Sequence, residues 1–385
     1  MRSCAVLISA FALAPAAQAG EVAATTASVI PSSGMPDIGK YTAGLALAPA
    51  DEARAPRSAP PEPVDTKQAQ GGDLCPQQYT NEFQIYIEND KWTGTDRYYT
   101  NGLKFGFGTD AGRLADLLNA PSESLLRRIT HGTGCVQLGL FFGQNMYTPR
   151  RITVAAPQPN DRPWAAWLYV GGVAQRVEQD KLQTVEIDIG MVGPAALGRQ
   201  VQTEWHHLVG ADTPQGWGNQ IPNQPGVLVA FLEKRKYAYG SIEFVPHAGA
   251  SVGNVMTLAR TGGIVRWGHN MSGFGPDTIE PGGAMLQASR IRAGQDGVRS
   301  YEWYAFAGAD LRAVAYNIFL DGPWLRESPG VDRRVFVHDW TAGLSARIST
   351  VRMSLTRVHR SEEFTTPVAG GGKQSFYSFN LGLQF

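Results

Sequence analysis

Between Tyr86 and Gly108 the chain reads YIENDKWTGTDRYYTNGLKFGFG, which gathers Asn89, Asp90, Thr95, Asp96, Arg97, Thr100 and Asn101 around one turn. A tight hairpin needs only roughly two to five such residues. A carboxylate, an amide and a hydroxyl at a strand rim are hard oxygen donors of the kind that ligate calcium. Polar residues also trim strand ends for ordinary reasons of solvation, and both readings stand at this point. Strand alternation puts Asp90 and Thr100 on the same side as Tyr86, Glu88 and Lys104, with Asn89 on the other. A second group is His206–His207, the one adjacent pair among 7 His. Gln202 precedes His206 by one helical turn, so on a helix the two project from one face. A His so held is a natural general base near neutral pH; the same spacing also suits a surface His on an amphipathic helix. There is no G-x-S-x-G elbow and no H-E-x-x-H pair. A Ser acting with a distant His stays open, because triads assemble in space.

The elements that must position these groups are strands. FQIYIEND sets Phe83, Ile85 and Ile87 against Gln84, Tyr86 and Glu88. Similar alternation follows in GLKFGFG, at 135–143, 165–178 and 181–193, near 226–238, 240–252 and 254–267, and at 300–319, 334–349, 350–362 and 375–385. That predicts twelve strands separated by turn signals or polar loops. In SFYSFNLGLQF, Tyr377, Phe379, Leu381, Leu383 and Phe385 share one face, and Ser378, Asn380, Gly382 and Gln384 the other. No apolar run past the first residues is long enough for a membrane helix. Apolar-out, polar-in alternation with aromatics near strand ends is the pattern of an outer-membrane barrel. The expectation is therefore an all-β, transmembrane antiparallel β-barrel of about twelve strands; a soluble sandwich is the alternative. Pro194 to Asp212 breaks the pattern with helical spacing at Leu197, Val201, Trp205, Leu208 and Val209, and Gly210 suits a helix stop. A short helix in the loop between the fifth and sixth strands follows.

Residues 1–19 read as a signal peptide, with one Arg, an apolar run and Ala-Gln-Ala before Gly20. Residues 20–78, rich in Ala, Pro, Ser and Thr, read as a flexible extension, and 79–385 as the barrel domain. Cys4 leaves with the leader. Cys75 and Cys135 are then a candidate disulfide in an oxidising compartment. Lys plus Arg and Asp plus Glu are balanced at 34 each, which argues against a nucleic-acid partner.

The segments END (88–90), TDRYYTNGLKFGF (95–107), QNMYTP (144–149), NDRPWAAWLY (160–169) and GPAALGRQVQTEWHHLVGAD (193–212) resemble, in the same order, the outer-membrane lipid A 3′-O-deacylases, the LpxR family. The resemblance spans about residues 82–385. It implies a twelve-stranded barrel in the outer membrane of a Gram-negative bacterium, with an extracellular loop helix beside the wall. The implied reaction is calcium-dependent hydrolysis of the 3′-linked acyl ester of lipid A, with a His activating water. Carried over by motif, Asn89, Asp90 and Thr100 are the essential groups. His206 rather than His207 is the base, because it lies between Gln202 and Gly210 at the family's spacing. Gln202 supports it, and Asp90 and Asp212 become the expected metal ligands. A family Lys in the loop after Y-[ST]-P has no match; this loop begins Arg150-Arg151. Since lipid A carries phosphates, Arg97, Arg150, Arg151 and Arg162 are the expected substrate contacts. The protein is expected to act as a monomer. An outer-membrane phospholipase and a non-enzymatic pore or adhesin are the rival readings.

Overall fold

The computed structural model describes residues 81–110, 135–178, 180–280, 301–324, 326–367 and 371–385. The expected leader, the extension and Cys75, and with it any Cys75–Cys135 bond, lie outside the described residues. Backbone alternation over the described part produces the strands β1 Glu82–Asn89, β2 Tyr98–Asp110, β3 Cys135–Thr148, β4 Ala165–Val177, β5 Lys181–Val192, β6 Gln224–Arg235 and β7 Tyr237–Tyr239. They continue as β8 Ile242–Gly253, β9 Met256–His269, β10 Tyr301–Asn317, β11 Phe336–Ile348, β12 Val351–Arg360 and β13 Gln374–Gln384. Neighbours pair antiparallel, β1 joins β13, and β6 joins β8, so the sheet closes on itself. The three-residue β7 continues the β6 stave along β8 after a break at Lys236, so the barrel has twelve staves as expected. A closed barrel satisfies every ladder hydrogen bond without an edge, which is what lipid demands of strands.

The apolar face of this sheet points outward. On β1, Glu82, Gln84, Tyr86 and Glu88 are buried while Phe83 is exposed. On β13, Gln374, Ser378 and Asn380 are buried and Leu383 is exposed. Leu140 is 72 % exposed, Phe336 70 % and Leu344 64 %, values that in water would make an aggregation surface. Around a membrane barrel they form the lipid-facing belt. Among the described residues no helix is long and apolar enough to cross a membrane.

The lumen is filled with paired charge. Arg312 bonds Glu280, Asp310 and Asp339, and Arg360 bonds Asp339, Glu280 and Glu363. The 270–280 segment, which leaves β9, contributes to this centre. Asp277 pairs with Lys234 on β6, Ile279 N–H donates to Glu88 on β1 at 3.0 Å, and Glu280 reaches Arg312 and Arg360 on β10 and β12. Side chains on four separated staves thus meet one inserted segment. Removing one partner from a buried ion network strands the others in low dielectric. Arg360→Leu is therefore expected to destabilise the barrel by about 3–5 kcal/mol. Loss of the exposed Arg334–Glu362 pair, at 3.2 Å, should cost about 1 kcal/mol or less. Thermal unfolding of the two variants in detergent measures the contrast; equal small losses would contradict it.

Candidate active site

The turn after β1 is built around a buried acid. Asp90 caps a 3-10 turn at Lys91–Thr93, and Gly94 closes it in the left-handed region at φ 81°. Asp90 Oδ2 accepts from Thr95 Oγ1 at 2.7 Å and from the Arg97 backbone N–H at 2.8 Å. The polar residues that exceeded a hairpin's needs therefore close a loop around one carboxylate. Burial pushes the Asp90 carboxyl up to about 7; its hydrogen bonds pull the other way, and the charge of nearby Asp96 adds to the rise.

From this loop the chain enters β2 through a left-handed residue, Tyr98, at φ 68°. A bulky side chain there is strained, and such strain concentrates at functional sites. The register against β3 then slips between Tyr99 and Asn101, so Thr100 is an inserted, bulged residue. This corrects the alternation argument. Tyr99 takes the lumenal place, donating to Glu88 at 2.7 Å. Thr100 turns its hydroxyl to a pair of carboxylates, 2.8 Å from Asp96 Oδ1 and 3.2 Å from Asp90 Oδ1. Asn89 braces the bulge: its amide donates to the Thr100 carbonyl at 3.1 Å and its Oδ1 accepts from Lys91 N–H at 2.7 Å.

The opposing half comes from the β5–β6 loop. A 3-10 turn, Pro194–Ala196, leads through Leu197 into the expected helix, α1, Gly198–Val209. Gly198 lets the helix lie against the wall: a Cβ there would sit 2.5 Å from the Ala166 Cβ on β4 and 2.6 Å from the Trp217 ring. Ala166 is on the outward face, so α1 packs outside the barrel. Gln202 and His206 are the buried pair on its inner face, whereas Val201, Trp205 and Leu208 are exposed. His207 is exposed, which leaves His206 as the base candidate. Gly210 ends the helix in the left-handed conformation.

That turn brings the Asp212 carbonyl onto His206 Nδ1. A carbonyl can only accept, so Nδ1 is the donor, and in the neutral ring Nε2 is the nitrogen left to act as a base. Nε2 lies 3.4 Å from Asp96 Oδ2, an oxygen that is buried without any hydrogen-bond donor. In the neutral ring Nε2 and this oxygen are both acceptors, and the Lys91 ammonium, 3.6 Å from Asp96 Oδ2, is the cation beside them. Gln202 does not touch His206. It accepts from Trp217 Nε1 at 2.8 Å and approaches Asp96 Oδ1 at 3.5 Å, so it orients the acid. Asp90, Asp96, Thr100, Gln202 and His206 thus form one chain of contacts between the β1–β2 loop and α1.

The expected residues divide accordingly. Asp90, Thr100 and His206 come together, with Asn89 and Gln202 in support. Asp212 enters through its carbonyl, and its side chain is exposed. Arg97 lies beside the cluster, its guanidinium 5.2 Å from the Tyr98 ring centroid and its Nε buried without an acceptor. Arg150 and Arg151 are exposed on the neighbouring loop. Arg162 departs from the expectation of a surface contact: it is wholly buried, bonded to Glu363 at 2.9 Å and packed on the Tyr147 ring, a placement that ties the rim together. Asp96 is the member of the cluster that the sequence reading did not single out as a site residue. Its signal was a second carboxylate in the same short loop as Asp90.

A closed twelve-stave barrel with a lipid-facing belt defines the class: an outer-membrane β-barrel protein. The sequence profile of the family described as Outer membrane protein LpxR matches residues 45–385. The chain belongs to that family. Among solved structures it is similar to LpxR from Salmonella typhimurium, with 21% identity, a TM-score of 0.61, and coverage of 79% of this chain and 100% of that one. It also matches the beta domain of the Bordetella autotransporter BrkA at 11% identity over 80% of this chain and 98% of that one, with a TM-score of 0.36, too low to bear weight. No curated protein matches the chain.

Proposed function

We propose that the protein is a calcium-dependent lipid A 3′-O-deacylase that hydrolyses the 3′-linked acyloxyacyl ester at the outer surface of the outer membrane. The observation that carries this reading is the placement of the base. His206 Nε2 faces a buried acid cluster where α1 meets the β1–β2 loop outside the wall, on the side from which a lipid headgroup rather than a soluble substrate would arrive. Membership of the LpxR family supports the substrate class.

Among the described residues no three His, Cys, Asp or Glu side chains converge as a ready-made metal site. The donor set nonetheless suits a hard cation that uses hydroxyl, carbonyl and water oxygens besides carboxylates. Asp96 Oδ2 is buried and accepts no hydrogen bond, with Lys91 Nζ 3.6 Å away as its charge partner, and Asp90 shares Thr100 with it. Asp96 and Asp90 would hold calcium, with Asp212 left to orient His206. Bound there, the ion supplies Lewis-acid stabilisation of the negative charge that develops on the ester oxygen.

The chain's own groups do the rest. His206 Nε2 takes the proton from the attacking water and returns it to the leaving alkoxide. The Asp212 carbonyl holds Nδ1–H, so the ring cannot turn its protonated nitrogen to the substrate. Gln202, locked by Trp217, keeps Asp96 aimed at Nε2. Arg97, with Arg150 and Arg151 on the adjacent loop, offers charge-assisted hydrogen bonds to the phosphates of the headgroup.

Calcium needs deprotonated ligands. The Asp90 carboxyl, raised to about 7, carries its proton below that pH in the metal-free protein. The sign follows: affinity for calcium rises as pH increases and levels off above about 7. Calcium titrations by calorimetry between about pH 5 and pH 8 check it; affinity that falls with rising pH in this window opposes the assignment. The substrate assignment has a separate test. The purified protein, given lipid A and a glycerophospholipid with calcium, should release fatty acid from lipid A alone. Release only from the phospholipid would establish the rival esterase.

A further inference from the structure

Below α1 the lipid-facing wall is not uniform. Facing outward on one rung of the sheet are Phe83, Phe107, Leu140, Gly172 and Ile187 on β1 to β5. Every position but one carries a large apolar side chain. Gly172 lies in an open groove of about 650 Å³ that crosses β1 to β5, from Phe83 and Phe107 past Leu140 and Phe142 to Ile187 and Ile189. A Cβ on Gly172 would meet nothing closer than 3.8 Å, so neither backbone strain nor crowding requires glycine there. What the glycine provides is space on the outside of the barrel.

We propose that this groove receives the substrate acyl chain whose ester is presented to His206, and that Gly172 sets how long a chain is accepted. The inference rests on the deacylase reading and extends it from the headgroup to the chain. Continuity selects the occupant. The groove lies on the same staves, β3 and β4, whose upper ends support α1: Gln144 on β3 donates to the Ala196 carbonyl, and Ala166 on β4 abuts Gly198. Gly172 is six residues beyond Ala166 on β4, roughly 20 Å along the strand. At the usual tilt of about 35–45° that is a depth of roughly 15 Å, close to half the ~30 Å hydrocarbon core. A chain that follows the tilted staves down from an ester at α1 therefore reaches the Gly172 rung. Any lipid can touch the belt, but only a chain tethered at the site must follow this line.

Gly172→Trp fills the groove without disturbing the wall, and Ala342→Trp places the same bulk on the exposed outer face of β11 as a control. Each purified protein is given lipid A preparations with short and with long 3′-linked chains, and released fatty acid is measured. Gly172→Trp is expected to lose about tenfold or more on the long-chain substrate, the range that misfitted methylenes cost in an apolar pocket, and to keep the short-chain rate. Ala342→Trp should match the unaltered protein on both. Equal loss on both lengths, or no loss on either, overturns the proposal. Occupancy is read separately from hydrolysis with a photoreactive group at the acyl terminus of lipid A. Crosslinks should concentrate at Leu140 and Ile187, even in His206→Ala, whereas a phospholipid carrying the same group labels the perimeter evenly. Even labelling by both lipids defeats the groove; concentrated labelling without hydrolysis in the unaltered protein upholds the groove and defeats the enzyme reading.

Discussion

Replacing His206 with Ala is expected to lower the rate of ester hydrolysis by about 10²- to 10⁴-fold, the usual contribution of a general base. The barrel should still fold and insert. His206 is on a helix outside the wall, and its removal takes no member from the lumenal charge network. Only one nitrogen of its ring is free, since Nδ1–H is held by the Asp212 carbonyl. His207 points away from the wall and is exposed, so His207→Ala should retain activity within a few-fold. Hydrolysis measured on both variants, alongside heat-modifiable migration as a check on folding, separates the two. Full activity in His206→Ala would move the base elsewhere, with His207 the first candidate.

Asp96→Asn is the second large effect. The substitution keeps the shape of the side chain, so its Oδ1 contact with Thr100 at 2.8 Å can persist. It removes the charge that faces His206 Nε2 and Lys91 Nζ and that a buried oxygen accepting no hydrogen bond would offer to calcium. Calcium affinity is tuned by the number of charged ligands. A loss of about tenfold or more in affinity and about 10²-fold in rate at moderate calcium is expected, with part of the rate recovered as calcium is raised. Asp212→Asn should differ little from the unaltered protein, because its carbonyl does the work and its side chain is exposed. If Asp212→Asn is the damaging change and Asp96→Asn is mild, the ligand assignment is reversed.

Much of this architecture is legible in the chain because a barrel stave must alternate. The inward Gln84, Tyr86 and Glu88 and the outward Phe83 and Ile85 announce their faces residue by residue, and β13 does the same. The α1 segment is legible because its apolar spacing changes period and Gly210 stops it. The site is less so. A bulge inserts one residue and reverses the faces beyond it, and alternation alone carries straight through, which is why Thr100 was placed on the lumenal side. Asp96 sits in an irregular loop, where no period relates a residue to its partners; its meeting with His206 depends on how the β5–β6 loop folds back. Arg162 shows the converse. A cation near a headgroup region looks like a phosphate contact until Glu363, two hundred and one positions later in the chain, is found beside it. The 270–280 insertion left no signal because it follows neither a helical nor a strand period; its meaning lies in Asp277 and Glu280 finding cations on distant staves.

The central claim is that the cluster where α1 meets the β1–β2 loop hydrolyses lipid A with His206 as base and calcium as the stabiliser of charge. Mass spectrometry of lipid A incubated with the purified protein tests it most directly, in three parallel samples: the unaltered protein with calcium, the unaltered protein with a calcium chelator, and His206→Ala with calcium. The account predicts loss of the 3′-linked acyloxyacyl group in the first sample alone. Equal loss in all three, or intact lipid A in the first, would contradict it.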